Sequence, residues 1–255
     1  MVLFILLLLF IGLAVTMAWF LISHDRGEKE PVLALWQAAG LGFLGAIAGA
    51  IIESKLSLGS GLTPGGPHGS MFTSAITIGL VEETCKFLPL ALLIYKRRYF
   101  NELTDGVIYF ALAGLGFGLP ENMLYTLVFG TQAGMIRLVL TPFFHAATTG
   151  MIGYFLVRQK LHRKSPFVVV LPFMAAVVLH GLYDFGLASG IGYFQLVSLA
   201  ITLGLSIGLF LLYQKATAED LEQGRSSIGH NDFCRSCGFV NPQHHLYCTH
   251  CGQHA

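Results

Sequence analysis

Long apolar stretches alternate with short polar segments along most of the chain. A helix needs about 20 mainly apolar residues to cross a bilayer, whereas the strands of a membrane barrel are shorter and alternate in polarity. Seven stretches are long enough for helices, at roughly 1–22, 32–52, 71–95, 104–129, 131–157, 166–189 and 191–213. The pattern predicts an all-α polytopic membrane protein with about seven transmembrane helices in residues 1–213.

The composition supports a location within the lipid bilayer. Hydrophobic residues make up 54% of the 255 residues and charged residues 11%, whereas soluble domains average about 25% charged residues. The first stretch carries no charge and has no basic segment before it, so we interpret it as a membrane span and not as a cleaved signal peptide. Nothing in the chain predicts a nucleic-acid partner.

The basic residues between the stretches predict the orientation of the chain. The first, third and fifth connections and the segment after residue 213 hold 12 of the 15 Lys and Arg residues, and the even connections hold only Lys55. Cytoplasmic connections of membrane proteins carry the excess of basic residues. We therefore expect a multi-pass protein of the cytoplasmic membrane, with its N-terminus outside and its C-terminus in the cytoplasm.

The residues after the last stretch change in character. Residues 214–230 are polar and are predicted to form a linker, and residues 231–255 contain two C-x-x-C pairs, "CRSC" and "CTHC". Two such pairs can hold one tetrahedral Zn²⁺, and so small a segment needs the metal in order to fold. We predict a cytoplasmic zinc ribbon with structural Zn²⁺ that docks a protein partner. Its four ligands are Cys234, Cys237, Cys248 and Cys251.

Charged and imidazole side chains occur inside four of the apolar stretches. Such residues are unfavourable in a bilayer and usually mark a functional site. Eight of them form the candidate set: Glu82, Glu83, Lys86, Glu121, Arg137, His145, His180 and Asp184. At about 1.5 Å of rise per residue, the carboxylates and imidazoles reach a similar depth near the middle of the bilayer. This convergence predicts one intramembrane site.

Each member of this set also has a structural interpretation. Lys86 follows Glu82 by four residues and Glu83 by three, so a salt bridge accounts for one glutamate and leaves the other as a candidate proton acceptor. The spacing does not decide which one. The histidines are compatible with core positions, Glu121 with an interhelical hydrogen bond, and Asp184 with the orientation of a neighbouring imidazole.

Taken together, a carboxylate base, two imidazoles and an orienting aspartate form a hydrolytic constellation. Such groups can activate water, bind an oxyanion and protonate a leaving amine. Two other classes of function remain open from the residues. A proton-coupled transporter also uses glutamate and histidine near the midplane, although the sequence shows no internal repeat. A non-catalytic scaffold would recruit partners through the ribbon.

Four short motifs occur in order along successive stretches. They are "EETCK" (E-E-x-x-K), "FGLPEN" (F-x-x-x-E-N), the histidine of "FFHAATTG", and "HGLYD" (H-x-x-x-D). In this order they resemble the PrsW family of intramembrane proteases and, more distantly, the superfamily of CAAX-prenyl endopeptidases and bacteriocin-processing enzymes. The resemblance covers roughly residues 32–213, and the cysteine segment is an appended module.

The resemblance implies a catalytic role for six residues: Glu82, Glu83, Glu121, His145, His180 and Asp184. The glutamate pair would supply the carboxylate that activates water, with His145 or Glu121 assisting, and His180, oriented by Asp184, would line the oxyanion site. The implied substrate is a membrane-spanning protein, an anti-sigma factor in the family's best-known case. Glu, His and Asp can ligate Zn²⁺. However, no H-E-x-x-H pair is present, which favours glutamate chemistry without a metal and leaves a catalytic metal open.

Overall fold

The computed structural model describes residues 2–62, 67–162 and 164–223. These residues form α-helices connected by short turns, and the described part of the chain contains no strand. The helices are α1 (Val2–Ser23), α2 (Val32–Lys55), α3 (Leu58–Gly61), α4 (His68–Ile94), α5 (Leu103–Phe129), α6 (Thr131–His162), α7 (Phe167–Ala188) and α8 (Gly192–Glu222). The prediction of an all-α protein is confirmed. The predicted zinc ribbon lies outside the described residues.

Seven of the helices correspond to the seven predicted stretches, and six of them are long and apolar enough to cross a membrane. The seventh is α4, which has 27 residues but contains Glu82, Glu83 and Lys86. It packs between α2 and α7, and all three charged side chains are buried inside the bundle. The charges of α4 therefore face protein and not lipid, and the chain is a multi-pass membrane protein.

Helix α5 lies at the centre of the bundle. It packs along α6 and α2 and is buried over most of its length, whereas α1 and α8 expose most of their apolar side chains. Large exposed apolar residues on the outer helices are what a lipid-facing surface requires. The centre of the bundle therefore positions the polar side chains of α5 and α6 away from lipid.

Helices α5 and α6 approach each other closely because glycines line their interface. A Cβ atom on Gly106 would collide with the carbonyl oxygen of Gly153, and one on Gly114 would collide with that of His145. Small residues allow membrane helices to bring their backbones together. In this way Gly114 holds the backbone of His145 directly against α5.

Helix α8 extends beyond the predicted boundary at residue 213, into the predicted linker. Near its end, the buried carboxylate of Asp220 accepts hydrogen bonds from the backbone N–H groups of Leu103 and Thr104, both at 3.0 Å. These are amides of the first turn of α5, which have no partner within their own helix. This cap explains why the polar residues after 213 remain helical and packed.

A cluster of carboxylates joins the connections at the same end of the bundle. The side chain of Glu102 accepts a hydrogen bond from the backbone N–H of Glu28 at 3.3 Å, which links the α4–α5 and α1–α2 connections. Burial raises the pKa of Glu30 and of Glu102 to about 7, and neighbouring carboxylates add to the effect. The charged groups that act on this pair are Asp25, Glu28, Asp105 and Asp220, and Lys29 lies beside Asp25.

Stability should therefore decrease as the pH rises. A carboxyl group whose pKa is raised from 4.5 to about 7 keeps its proton in the folded state after the unfolded chain has lost it. Its contribution is complete below the unfolded pKa and is lost as the pH rises through about 7. We expect a lower thermal unfolding midpoint in detergent at about pH 8 than at about pH 5.5.

The variant Glu102→Gln keeps the hydrogen-bond acceptor but cannot ionise, so its unfolding midpoint should fall less over the same pH range. The matched control is Glu222→Gln, which changes an exposed residue at the end of α8 and should behave like the unmodified protein. If the unfolding midpoint falls equally in the two variants, the pH dependence does not come from Glu102.

The close approach of α5 and α6 gives a second prediction. Gly114→Ala should destabilise the protein by about 1–3 kcal/mol, because the added Cβ must push the His145 backbone away. Gly204→Ala on α8 is the matched control, because a Cβ there meets no atom within 4 Å. The free energy of unfolding in detergent is measured for both variants. If the two variants are equally stable, α5 and α6 can move apart at Gly114 without a loss of stability, and the prediction is wrong.

Candidate active site

All six predicted catalytic residues lie in one buried cluster, together with Lys86 and Arg137. Helix α4 supplies the two glutamates and the lysine, and α5 supplies Glu121. Helix α6 supplies Arg137 and His145, and α7 supplies His180 and Asp184. The structure thus places on four neighbouring helices the groups that the sequence predicts at a common depth.

The carboxylate of Glu83 is held by three donors. Its Oε1 atom accepts from Nδ1 of His180 at 2.7 Å, from Nζ of Lys86 at 3.0 Å and from Oγ1 of Thr148 at 3.3 Å. A carboxylate that accepts the Nδ1 proton fixes both the tautomer and the orientation of an imidazole. Glu83 therefore orients His180.

The other nitrogen of His180 faces the remaining carboxylates. Its Nε2 atom lies 3.3 Å from Oε2 of Glu82 and 3.5 Å from Oδ2 of Asp184, and neither the Nε2 atom nor the Asp184 oxygen makes a hydrogen bond of good geometry. The sequence predicts that Asp184 orients His180 from four residues away. The structure shows a closer orienting contact from Glu83, which sequence spacing cannot reveal because α4 and α7 are far apart in the chain.

His145 lies between a lysine and a glutamate. Lys86 Nζ is 2.8 Å from Nδ1 of His145, and Glu121 Oε2 is 2.5 Å from its Nε2. A lysine ammonium has only protons to donate, so Nδ1 accepts the hydrogen bond and the proton of the neutral ring is on Nε2. The imidazole is thereby held facing the α4 glutamates.

Two cations, Lys86 and Arg137, pair with carboxylates of the cluster. Arg137 pairs through its guanidinium with Glu121, donates to the side-chain oxygen of Asn122 at 3.1 Å and lies over the ring of Tyr125. Lys86 contacts Glu83 at 3.0 Å and the more distant Glu82 at 3.4 Å. Glu83 is therefore the more strongly paired of the two glutamates, and Glu82 is the less engaged.

A cavity of about 520 Å³ lies between the C-terminal halves of α2 and α5 and reaches Glu82 on α4. Glu82 and Glu121 line it, so the cluster is accessible from this space. Glu53 also lines it, although the sequence interpretation placed this residue in a connection. Its spacing from Ala46 and Ala50, which also line the cavity, could have placed it on the same helical face.

Three residues of the cluster can together hold a metal ion. Glu82, His145 and His180 each offer one ligand atom, and these atoms all lie within 4.8 Å of one another. One carboxylate and two imidazoles form a known ligand set of catalytic zinc. In addition, His180 donates its Nδ1 proton to Glu83 and its Nε2 atom has no hydrogen bond of good geometry, so Nε2 keeps a lone pair for a metal. The donor set therefore fits a metal, and its members come from three helices, which explains the absence of an H-E-x-x-H motif.

Residues 30–212 match the family model described as PrsW family intramembrane metalloprotease. The chain belongs to this family. A protein named Protease PrsW from Bacillus subtilis is 29% identical over 176 residues, covering 68% of this chain and 78% of the relative. One from Clostridioides difficile is 29% identical over 192 residues, with 70% and 77% covered. No solved structure matches the chain.

The PrsW resemblance drawn from the four motifs is confirmed, and so is the prediction that the chain is a peptidase of the membrane. The preference for chemistry without a metal is not supported. The PrsW family is described as a metalloprotease family, and the structure contains a donor set that fits a metal. The preference rested on the lack of a local motif, whereas these ligands are distributed over α4, α6 and α7.

The pairing of Arg137 and Glu121 can be tested by a double-mutant cycle. Arg137→Met should destabilise the protein by about 3–5 kcal/mol, because it leaves a buried carboxylate without its cation. Adding Glu121→Gln should restore part of this loss. The exposed Arg98→Met is the matched control and should be nearly neutral. Additive effects of the two buried substitutions in equilibrium unfolding would exclude the coupling.

Proposed function

We propose that the protein is an intramembrane endopeptidase that cleaves a membrane-spanning protein with water activated at Glu82. The observation that carries the proposal is the meeting of one carboxylate and two imidazoles from three helices beside a cavity within the bundle. Buried ionisable groups in a membrane protein are unfavourable without a function. The family membership supports hydrolysis of a peptide bond as that function.

The proposed metal ligands are Glu82, His145 and His180. When bound there, a metal ion would polarise a carbonyl group and make water a stronger nucleophile at neutral pH. The remaining groups of the chain position these ligands. Glu83 fixes the imidazole of His180, and Glu121 faces Nε2 of His145. The Nδ1 atom of His145 would exchange its contact with Lys86 for the metal.

The two glutamates take different roles in this proposal. Glu83 accepts three hydrogen bonds on one oxygen and is a positioning residue. Glu82 lines the cavity and is held less closely, at 3.4 Å from Lys86 and 3.3 Å from His180, so its carboxylate is the one proposed to reach the hydrolytic water. Asp184, whose Oδ2 atom lies 3.5 Å from Nε2 of His180, is the proposed acceptor for a proton released by the attacking water.

Several further features of the chain belong to the same proposal. The distribution of basic residues supports a protein of the cytoplasmic membrane with an external N-terminus. The family resemblance supports a membrane-spanning anti-sigma factor as one substrate. We also propose that Cys234, Cys237, Cys248 and Cys251 form a cytoplasmic zinc ribbon after the membrane domain, and that this module recruits a protein partner.

The test is cleavage of single-span membrane reporters co-expressed with the full-length protein. Glu82→Gln should lower cleavage about 100-fold or more, the scale of a lost acid–base or metal-binding group. Glu83→Gln should lower it less, because the amide still accepts a hydrogen bond from His180. Glu222→Gln on the exposed end of α8 serves as the control. Full activity of Glu82→Gln would disprove the proposed role.

Metal analysis of the same proteins separates the two sites. Changing all four C-terminal cysteines to serine should leave about one equivalent of bound metal, and adding His180→Ala should remove it. If metal remains bound after both changes, the metal binds at a site other than the two proposed. If the cysteine variant alone abolishes function while the glutamate variants remain active, the scaffold interpretation replaces the peptidase.

A further inference from the structure

The cavity beside the cluster has walls suited to a membrane-spanning segment. On α2 it is lined by Ala46, Ile47, Ala50 and Ile51, and on α5 by Pro120 and Leu124. Ile51 and Leu124 are about half exposed and border its opening. In a lipid environment such exposed apolar side chains face acyl chains or another helix. A volume of about 520 Å³ also lies within the usual range for ligand sites.

The carboxylates in this cavity are not equally balanced. Glu121 is paired with Arg137, and Glu82 lies within reach of Lys86. Glu53 makes no hydrogen bond or ion pair with any residue that the structure describes, and its Oε1 atom is buried. A carboxylate in such surroundings is unfavourable until a cation or a donor joins it.

Charge complementarity indicates which kind of side chain pairs with Glu53. The lining that the structure describes contains Glu53, Glu82 and Glu121 but one cation, Lys55, so carboxylates outnumber cations there and a basic group is favoured over an acidic one. A neutral side chain could donate a hydrogen bond to Glu53 but would leave its negative charge without a counter-charge. A lysine or arginine has a long apolar stem that suits the alanine and isoleucine walls, and its charged end can reach the carboxylate.

We propose that the cavity receives one end of a membrane-spanning substrate segment and that Glu53 binds a Lys or Arg side chain of that segment. The inference rests on the proposed peptidase function and adds a specificity to it. Glu53 is not placed among the metal ligands or the groups that contact water, so its role is selection of the substrate. In the proposed orientation Glu53 is near the outer surface, where the flanks of membrane spans carry few basic residues. A basic residue there would therefore be a selective signal.

Cleavage of matched reporters tests the specificity. Each reporter has a leucine–alanine span and one Lys, Gln or Glu at successive positions of its outer flank. The unmodified protein should cleave the best Lys reporter roughly fivefold to tenfold faster than the matching Gln reporter, and the Glu reporter more slowly still. Glu53→Gln should remove this order while still cleaving the Gln reporter, and Glu53→Lys should reverse it. Glu222→Gln should leave it unchanged.

A binding measurement keeps this inference separate from the proposed function. A photoreactive phenylalanine analogue at Leu124, in the Glu82→Gln background, should cross-link the Lys reporter more than the Glu reporter. This preference should disappear when Glu53→Gln is added. Equal cross-linking of all reporters, or none, overturns the inference even if cleavage occurs. A preference in cross-linking without any cleavage by the unmodified protein supports the role of Glu53 and disproves the peptidase function.

Discussion

The neutralisation of charge inside a low-dielectric bundle determines how the interior of this protein is built. Glu82, Glu83 and Glu121 are buried at depths where a lone carboxylate would be strongly unfavourable. Lys86 and Arg137 supply the opposing charges, and each also contacts a second kind of partner. Because these contacts join α4, α5 and α6, the same interactions that make the charges tolerable also fix the helices around the site.

This arrangement depends on close backbone packing in the centre of the bundle. The glycines of α5 and α6 bring His145 near enough to contact both Lys86 and Glu121. Polar networks of this kind are sensitive to small displacements, because a buried group that loses its partner retains the full cost of desolvation. Packing and chemistry are therefore coupled through a few glycine positions that carry no functional group.

The seven long helices could be predicted from the sequence because each apolar stretch is close to the length needed to cross a bilayer. The common depth of the six predicted catalytic residues followed from helical rise alone. The pairings between them did not, because the orientation of His180 by Glu83 depends on how α4 and α7 pack. Glu53 was missed for a similar reason, since only the cavity between α2 and α5 distinguishes it from a residue at a helix end.

The bonds of Asp220 to the start of α5 have a practical consequence for dividing the chain into parts. A truncation at residue 213, where hydropathy falls, would remove this carboxylate and leave the amides of Leu103 and Thr104 without their acceptor. The minimal unit that keeps α5 capped therefore ends after Glu222, at the end of α8. The last turns of α8, which precede the C-terminal cysteine segment in the sequence, are thus bonded to the same helix that carries Glu121.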